Sequence, residues 1–490
     1  MNAPLSTLRS HQVPWLLLLL YFGAHILSRI LVSDALELDE AEQALWTQHL
    51  AAGYGTQPPL YTWLQWTVFQ VAGVSVLSLS LLKNALLAAT YAFVWLAARR
   101  LMAAPLALLA AASMLLIPQI GWESQRDLTH SVLATAIAAA TLCIVVRLIE
   151  KPCRALYPAL GLCAALGLLS KYSFALFLVA LVLALLLSRE ARPVLRSPWI
   201  IAAVLVALVV LAPHALWLFD NWHVASARTL EKLGASTGLT AGLARGVGSL
   251  LGAALATLGA LAFAGTAIFG RAAWQDGAAS AHCRLWRRYF GALAALMLGL
   301  VLVGGATHFK GRWLQPLVFM APLAFFCCRP RLAAHPRLSW LRGTLIALAL
   351  LYLFMASMRP VFDGWRNRPD ELNEPAAELA DALRGAGYDG RTPIVTHDPV
   401  LGGVLRVRFP QARVTVWQEG LPEPAPRFAP HLLIGRNDDG RRLFERAAAA
   451  PVHRLALHPL HARPERPPIE YRYAFMRSTG ARVQSRPAAP

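Results

Sequence analysis

Charged residues are scarce in this chain. They make up 15% of its 490 residues, whereas a soluble globular protein carries about 25%. Hydrophobic residues make up 57%, the mean hydropathy is +0.47, and the apolar residues come in long blocks. This composition excludes an ordinary soluble protein and indicates a chain that crosses a membrane several times.

Acidic residues are scarcer than basic ones, with 27 Asp and Glu against 46 Lys and Arg and a formal net charge of +19. Such a charge could indicate a nucleic-acid partner. Most of the basic residues, however, lie in short loops between apolar blocks, where positive charge sets the orientation of a membrane protein. We therefore expect no nucleic acid among the partners of this chain, and we expect a lipid bilayer around it.

Cysteine is also rare. None of the six cysteines lies in a loop that we predict to face outward or in the C-terminal part of the chain, and no Cys-x-x-Cys pair occurs. The sequence therefore implies neither a disulfide on the outer face nor a zinc site of that kind.

The apolar blocks predict an α-helical polytopic membrane protein with about 11–13 transmembrane helices. A further apolar segment, 59–73, is short and follows Pro58-Pro59, so we predict a helix that lies at the membrane interface. The predicted spans cover residues 14–33, 77–98, 103–118, 128–148, 155–170, 173–188, 199–217, 247–269, 289–304, 313–327 and 342–358.

Arginine-rich loops alternate with loops that hold acids. Because positive charge favours the cytoplasmic side, we place the N-terminus in the cytoplasm and the C-terminus, after an odd number of spans, on the outer face. The basic residues that mark the cytoplasmic loops are Arg99, Arg100, Arg147, Lys151, Arg154, Arg189, Arg192, Arg196, Arg271, Arg284, Arg287, Arg288, Arg329, Arg331, Arg337 and Arg342.

The composition changes after Met358. The stretches TPIVTHDPVLGG and ARVTVWQEG are typical of strands, and PAAELADALRGAGY is typical of a helix that ends at Gly. We therefore divide the chain into a membrane domain, residues 1–358, and a small outward α/β domain, residues 359–490. The last part of this domain, from about Arg463, is expected to be loosely ordered.

The first outward loop, residues 34–76, contains an acidic cluster in LDEAEQALWTQHLAAGYGTQPPLYTWLQ, from Leu38 to Gln65. One structural explanation is a helix N-cap, because Asp39-x-x-Glu42 fits the capping pattern. A cap accounts for one acid, however, and not for Asp39, Glu40 and Glu42 together beside a membrane. The cluster therefore indicates a chemical role for this loop.

A second acid, Asp127, lies in the next outward turn, GWESQRDLTHSVL, beside Arg126 and three residues before His130. It could cap the following helix or pair with Arg126, and an exposed pair of that kind contributes only about 0–1 kcal/mol. The alternative is a second carboxylate of the same outward site.

Cations lie at the outer ends of several predicted helices. A Lys or Arg within the membrane costs about 2.5–3.5 kcal/mol on insertion scales, so such residues usually serve a ligand or a pathway. The alternative is a side chain that snorkels to the interface. The polar residues in question are Lys83 in LSLLKNALL, Lys171 and Tyr172 in LLSKYSFALF, and His308, Lys310 and Arg312 in GATHFKGRWLQP.

Carboxylates and cations at one membrane face suit a lipid-linked phosphate as the substrate. A carboxylate can deprotonate a hydroxyl or hold a divalent cation. Cations bind phosphate and stabilise the charge that develops on a phosphate leaving group. The residue types therefore favour group transfer from a lipid phosphate.

The first loop resembles that of the bacterial family 39 membrane glycosyltransferases, relatives of the lipid A aminoarabinose transferase and the protein O-mannosyltransferases in the GT-C superfamily. In that family the loop runs Asp-Glu-Ala, then Trp, then Gly-Tyr, then Pro-Pro-Leu, as it does here. Later landmarks follow in the same order within about residues 14–358, namely RDLTH, LLSKYSFALFL, APHALWLFDNWH and HFKGRWLQPLVFMAPL.

The resemblance implies an enzyme of the bacterial inner membrane that moves a sugar from a polyprenyl-phosphate donor to a hydroxyl of a periplasmic acceptor. Asp39 matches the catalytic acid of the first loop and Asp127 the second outward acid, and both are candidate ligands of a divalent metal cation. Lys171, Lys310 and Arg312 match positions near the donor phosphate. As further substrate contacts we predict Glu40, Lys83, Arg126, His130, Tyr172 and His308. We also expect a monomer, and inversion at the sugar.

Two positions depart from the family pattern and affect the expected donor contacts. Gln57 stands where members often have Lys or His, and Lys83 where they often have Arg, whose planar bidentate contact lysine does not make. Two other functions stay open at this point: a transporter or flippase of lipid-linked sugars, and an oligosaccharide polymerase or ligase. The first usually shows internal repeats and broken midplane helices, and the second a large outward loop late in the chain. The sequence leaves the sugar and the acceptor (lipid A, another glycan or a protein) open.

Overall fold

The structure is a computed structural model that describes residues 12–223, 225, 239–275, 280–417, 430–436, 444 and 451–476. Most of these residues are helical. In chain order the helices are α1 (Val13–Val32), α2 (Leu38–Trp46), α3 (Leu60–Ala72), α4 (Val76–Leu101), α5 (Ala104–Ala112), α6 (Ser124–Arg126), α7 (His130–Glu150), α8 (Leu156–Ser170), α9 (Phe174–Leu187), α10 (Pro193–Arg196), α11 (Ile200–Asp220), α12 (Leu239–Phe269), α13 (Ala281–Leu302), α14 (Gly311–Val318), α15 (Ala321–Cys327), α16 (Leu338–Trp365), α17 (Ala376–Gly385) and α18 (Pro399–Arg408). The strands are β1 (Ile394–Thr396), β2 (Val414–Val416), β3 (His431–Arg436), β4 (His453–Leu457) and β5 (Ile469–Met476).

Seven of the described helices are long and apolar enough to cross a membrane, namely α1, α4, α7, α11, α12, α13 and α16. An eighth span results if the bent pair Ala104–Leu116 and Gln119–Arg126 is counted as one. The predicted spans 155–170 and 173–188 correspond to the shorter apolar helices α8 and α9. The polytopic helical fold is therefore confirmed, although fewer helices than the predicted eleven have the full length of a span.

The predicted span 313–327 is divided into the two short helices α14 and α15. Pro322 lies in the first turn of α15. There the missing N–H of proline costs no helical hydrogen bond, and its fixed φ favours the start of a helix. The apolar run alone does not indicate this break.

The chain divides into two compact units. We call the first the membrane unit; it contains Met1–Leu27, Ala51–Leu64 and Leu81–Ala356. The second, the C-terminal unit, contains Ser28–Leu50, Gln65–Ser80 and Ser357–Pro490. The sequence does not indicate that two early segments group with the C-terminal part. Asp39 and its helix α2 therefore belong to the C-terminal unit.

A disulfide joins Cys283 and Cys328 in the membrane unit, with their Cα atoms 4.9 Å apart. Cys283 lies at the start of α13 and Cys328 just after α15, at helix ends that the arginine pattern places in the cytoplasm. The sequence gives no sign of this pair, because the two residues are 45 positions apart and neither lies in a motif.

The C-terminal unit contains a five-stranded mixed sheet in the order β2-β1-β3-β5-β4. β1 is parallel to β2 and β3, while β5 is antiparallel to β3 and β4. The predicted strands and the predicted helix around 376–385 are present. The stretch DPVLGG, however, begins helix α18, because the side chain of Asp398 accepts the N–H of Val400 at 2.8 Å and Pro399 opens the helix.

The expectation of a loosely ordered end after Arg463 is wrong for residues 469–476. They form β5, which pairs on both sides and places Tyr471 in the core of the unit. Helix α2 joins the same core through Leu45. It also packs tightly on α18, because a Cβ added at Gly403 would overlap Ala41.

Arginines hold the acids of the first loop in the C-terminal unit. The guanidinium of Arg29 binds both carboxylate oxygens of Glu40, at 2.7 and 3.4 Å, and donates to the carbonyls of Ser33 and Ala35 at 2.7 and 2.6 Å. Glu40 is 1% exposed and Arg29 13%. Such a pair is costly to break, because the remaining charge would be buried without its partner.

Two further arginines bind acids of the same loop. Arg359 forms ion pairs with Glu37 and with Asp370, and Arg408 forms one with Asp34. Three of the loop acids therefore have structural partners in this unit, which the clustering of acids in the sequence does not indicate.

We predict that Glu40→Ala and Arg29→Ala each lower the free energy of unfolding by about 3–5 kcal/mol, the usual cost of removing one member of a buried pair. Thermal unfolding of the full-length protein in detergent measures the effect. The matched control is Asp381→Ala, which removes the exposed pair Arg384–Asp381 and should cost about 0–1 kcal/mol. Equal unfolding temperatures for Glu40→Ala and Asp381→Ala would contradict the structural role of Glu40.

Candidate active site

The helix that carries Asp39 begins two residues earlier than the capping pattern predicts. Glu37 is the N-cap of α2, with an extended backbone at φ −71° and ψ 161°, and the carboxylate of Glu40 accepts the N–H of Glu37 at 3.2 Å. The N-cap explanation of Asp39 is therefore wrong. Asp39 is the second residue of the helix and partly exposed. Its carboxylate lies in the first turn, where the helix dipole favours a negative charge.

The other loop acids differ from Asp39 in their surroundings. Glu40, a predicted substrate contact, is buried against Arg29. Glu42 is partly exposed on the same helix. Asp39 thus lies in the first turn of α2 with a side chain that is accessible to solvent. A catalytic base must be accessible in this way if it is to meet an incoming hydroxyl.

Asp127 lies after a sharp bend in the membrane unit. The helix pair Ala104–Leu116 and Gln119–Arg126 is bent by 80°, and residues 119–123 form a π-helical turn, a feature that is frequent at functional sites. The N–H of Asp127 donates to the carbonyl of Glu123 at 3.0 Å. Helix α7 begins at His130 with Thr129 as its N-cap, so Asp127 does not cap it. Arg126 is exposed and Asp127 partly exposed.

Two predicted residues, His130 and Lys171, come together at the start of α7. The Lys171 ammonium donates to the hydroxyl of Ser131 at 2.7 Å. The Nδ1 atom of His130 lies 3.2 Å from the carbonyl of Ser170, and its ring contacts that of Tyr61, with centroids 5.7 Å apart. The turn between α8 and α9 is therefore held against α7 through Ser170 and Lys171.

Tyr172 follows Lys171 in this turn. Its hydroxyl lies 3.4 Å from Nε2 of His214. Burial raises the pKa of Tyr172 to about 12. The hydroxyl therefore stays protonated at neutral pH and acts as a hydrogen-bond donor.

Lys83 lies on α4 and is 3% exposed. Snorkelling to the interface is therefore the wrong explanation for this lysine, since a snorkelling side chain would be exposed. The neighbouring Asn84 accepts a hydrogen bond from Gln125 at 3.0 Å. This bond connects α4 with the turn that precedes Asp127.

His308, Lys310 and Arg312 lie around the start of α14. Lys310 is the N-cap and exposed, Arg312 is in the first turn and partly exposed, and the exposed ring of His308 contacts Trp313 edge-on at 6.4 Å. Free N–H groups at a helix start and two adjacent cations favour an anion. The segment is fixed from both sides by neutral groups: the N–H of Phe309 donates to Ser249 at 2.8 Å, and Gln315 donates to Ser124 at 2.9 Å.

The described part of the chain contains no preformed site for the predicted divalent cation. No group of three or more His, Cys, Asp or Glu side chains converges there. Asp39 and Asp127 belong to different units. The cation stays a prediction, and no step proposed below depends on it.

Three residues of this region were not singled out from the sequence. Ser131 binds Lys171, His214 binds Tyr172, and Gly53 packs against Trp217. The signal for His214 was present in the sequence, because a histidine in the apolar run LAPHALW is unusual in a membrane helix.

Comparison with known proteins identifies the family. A family model described as dolichyl-phosphate-mannose-protein mannosyltransferase matches residues 56–217. The lipopolysaccharide core galacturonosyltransferase RgtB of Rhizobium johnstonii is 38% identical over 440 residues, which cover 87% of this chain and 86% of RgtB. The lipopolysaccharide core galacturonosyltransferase RgtA of the same organism is 34% identical over 441 residues, with 87% of each chain covered.

A solved structure agrees on the fold. The crystal structure of ArnT from Cupriavidus metallidurans bound to undecaprenyl phosphate has a TM-score of 0.57 and 16% identity, and the match covers 93% of this chain and 98% of ArnT. The two galacturonosyltransferase relatives confirm the resemblance stated from the first loop, and they confirm the transferase prediction over the flippase and polymerase alternatives. The chain belongs to the GT-C family of membrane glycosyltransferases that includes these lipopolysaccharide core galacturonosyltransferases.

Proposed function

We propose that this enzyme transfers galacturonic acid from a polyprenyl-phosphate donor to a hydroxyl of a lipopolysaccharide core or lipid A sugar. The observation that carries the proposal is the 38% identity to a lipopolysaccharide core galacturonosyltransferase over 87% of the chain. A lipid phosphate as the carrier is supported by the cations of the membrane unit and by the ArnT structure, which holds undecaprenyl phosphate. The charge of the candidate residues supports an acidic sugar, because the five predicted cations exceed the two catalytic acids.

The direct test uses purified protein in detergent. The protein is incubated with polyprenyl-phosphate-linked galacturonic acid and with lipopolysaccharide that lacks galacturonic acid. Mass spectrometry then measures the mass of the acceptor. We expect one added galacturonic acid residue without any sealed membrane, which a flippase would need. Transfer of another sugar in preference to galacturonic acid would overturn the donor assignment.

The proposed reaction is a single displacement. The acceptor hydroxyl oxygen attacks the anomeric carbon while its proton passes to the carboxylate of Asp39. The bond between the anomeric carbon and the phosphate oxygen breaks, and its electron pair leaves with the polyprenyl phosphate. Because one carboxylate base suffices and no covalent sugar intermediate forms, the product has inverted configuration.

The cations stabilise the leaving group in this mechanism. Lys171 and the helix start with Lys310 and Arg312 bind phosphate oxygens, on which negative charge increases as the bond breaks. Asp127 orients the acceptor or the residues that bind the phosphate. Lys83, Arg126, His130 and His308, which also belong to the membrane unit, are proposed to bind the sugar or the phosphate.

The site is proposed to face the periplasm, because the arginine-rich loops alternate with the loops that hold Asp39 and Asp127. Alkaline phosphatase fused to the C-terminus should be active, since that enzyme folds only outside the cytoplasm. The matched control, a fusion after Met102 beside Arg99 and Arg100, should be inactive. The opposite pattern would contradict this orientation.

Asp39→Asn should lower kcat by about 10²–10⁴-fold, the usual contribution of a general base. The substitution leaves the helix start intact, because Glu37 and not Asp39 is the N-cap. The unfolding temperature should therefore stay within a degree or two of the wild type. Transfer rates with purified enzyme measure the loss.

Glu42→Gln is the matched control for Asp39→Asn, since it neutralises a second, partly exposed acid of the same helix. It should retain near-normal transfer. Activity of Asp39→Asn close to that of Glu42→Gln would remove Asp39 as the base. An NMR spectrum that shows retained anomeric configuration would exclude the single displacement.

Lys171→Gln should lower kcat/KM for the donor by about 10- to 150-fold, which corresponds to the 1.5–3 kcal/mol of a hydrogen bond to a charged group. Glutamine keeps a hydrogen-bond donor at this position, on a side chain one bond shorter, while the positive charge is lost. Steady-state kinetics with varied donor measures the change. Lys151→Gln, at an exposed lysine after α7, is the control. Equal donor kcat/KM for the two variants would exclude Lys171 from phosphate binding.

A further inference from the structure

Helix α11 buries a histidine and exposes its apolar residues. Ala203 and His214 are its buried residues, and His214 is 5% exposed. Exposed Leu and Val side chains cover the rest of the helix, as expected for a surface that contacts lipid. A polar residue buried in a membrane helix is costly and is retained for a specific contact.

Both ring nitrogens of His214 are engaged. Nδ1 lies 2.6 Å from the carbonyl oxygen of Ala52, and Nε2 lies 3.4 Å from the hydroxyl of Tyr172. A carbonyl only accepts, so Nδ1 carries the hydrogen. In the neutral ring Nε2 is then the acceptor, and Tyr172 donates to it. The histidine thus joins two segments that are 120 residues apart in sequence.

Aromatic stacking reinforces these bonds. The ring of His214 lies nearly parallel to Tyr172, at 5.9 Å and 17°, and to Trp217, at 5.7 Å and 13°. The indole of Trp217 in turn covers Gly53, where an added Cβ would overlap three of its ring atoms. Glycine at position 53 is therefore required by the close approach of the loop to α11.

The loop that His214 holds, residues 51–57, is internally rigid. The N–H of Ala51 donates to the hydroxyl of Tyr54 at 3.0 Å, and the indole of Trp63 donates to the carbonyl of Ala51 at 2.8 Å. Tyr54 and Gln57 exchange two backbone hydrogen bonds, at 3.2 and 3.0 Å. Besides the bond to Trp63 of α3, the loop is held in place where Ala52 and Gly53 meet α11.

The contacts form a closed circuit around Lys171. The loop is followed by α3, whose Tyr61 contacts His130, and His130 contacts Ser170. Lys171 binds Ser131, and Tyr172 returns to His214. A displacement of His214 would therefore move the Lys171 turn and the loop together.

We propose that His214 is a positioning residue of the donor site, which ties the 51–57 loop and the Lys171–Tyr172 turn to α11 through its two ring nitrogens. The proposal rests on the proposed function in that Lys171 binds the donor phosphate. It assigns no chemical step to His214.

Three substitutions of His214 separate this role from simple packing. His214→Ala removes both hydrogen bonds. His214→Asn keeps a donor near the position of Nδ1, and His214→Gln places its amide group near the position of Nε2. Donor kcat/KM should fall about 10-fold or more in His214→Ala. Since the bond to Ala52 is the shorter of the two, His214→Asn should recover most of that loss and His214→Gln little. A loss of equal size in the Asn and Ala variants would overturn the proposal.

Gly53 provides a second, independent test. Gly53→Ala should reduce donor kcat/KM as His214→Ala does, because the new methyl group displaces the loop from Trp217. The matched control is Gly252→Ala, at a glycine of α12 with open space around it, and it should keep wild-type kinetics. In a Trp217→Ala background, Gly53→Ala should cost less than half of its original effect, since the overlapping ring is gone. Additive losses would contradict the proposed contact.

Hydrogen exchange of the loop gives a readout that does not depend on transfer. The backbone amides of residues 51–57 should exchange at least several-fold faster in His214→Ala and Gly53→Ala than in the wild type or Gly252→Ala. Binding of undecaprenyl phosphate alone, without any sugar, should weaken in the same two variants. If the wild type transfers no galacturonic acid but these two measurements follow the expected pattern, the proposed function fails and the positioning role stands. Unchanged exchange and unchanged binding would overturn the positioning role, whatever the sugar.

Discussion

The bidentate contact between Arg29 and Glu40 fixes the start of the first loop. One guanidinium satisfies a buried carboxylate and the carbonyls of Ser33 and Ala35. It thereby connects the end of α1 with the first turn of α2. Because Glu40 also accepts the N–H of Glu37, the same carboxylate closes the helix start. The ion pair between Arg29 and Glu40 therefore sets the position of the neighbouring Asp39.

The two units place their candidate residues by different means. In the C-terminal unit, arginines bind acids and so neutralise them. In the membrane unit, many of the bonds that set the site are neutral: Asn84 with Gln125, Ser124 with Gln315, and Tyr172 with His214. Neutral hydrogen bonds fix side chains without cancelling the charge of nearby cations, which is what electrostatic stabilisation of a leaving phosphate needs.

The sequence predicted much of the fold and part of the site. Apolar runs located the helices. Two candidate site residues, His130 and Lys171, lie at the same junction, although the sequence did not indicate that they would meet. The capping pattern failed at Asp39, although aspartate is a preferred N-cap residue and glutamate is not. Glu40 instead closes the helix start at Glu37, and Arg29 holds Glu40 in that position. Partners far apart in the chain, such as Arg359 and Glu37, leave no trace in a single sequence. The disulfide between Cys283 and Cys328 was missed for the same reason.

A donor that carries an acidic sugar has two negative groups, a phosphate and a uronate carboxylate. Burying such a ligand near a membrane costs several kcal/mol for each charge unless each is matched. In the proposed mechanism Lys171 and the start of α14 bind the phosphate, and the buried Lys83 is a further cation of the same unit. A lysine, at the position where the family pattern described above often has arginine, would contact a carboxylate as a point charge and without the planar fork. If the donor sugar is acidic, as proposed, the departure at Lys83 is the position at which this chain would differ from the family pattern in its contact with the sugar.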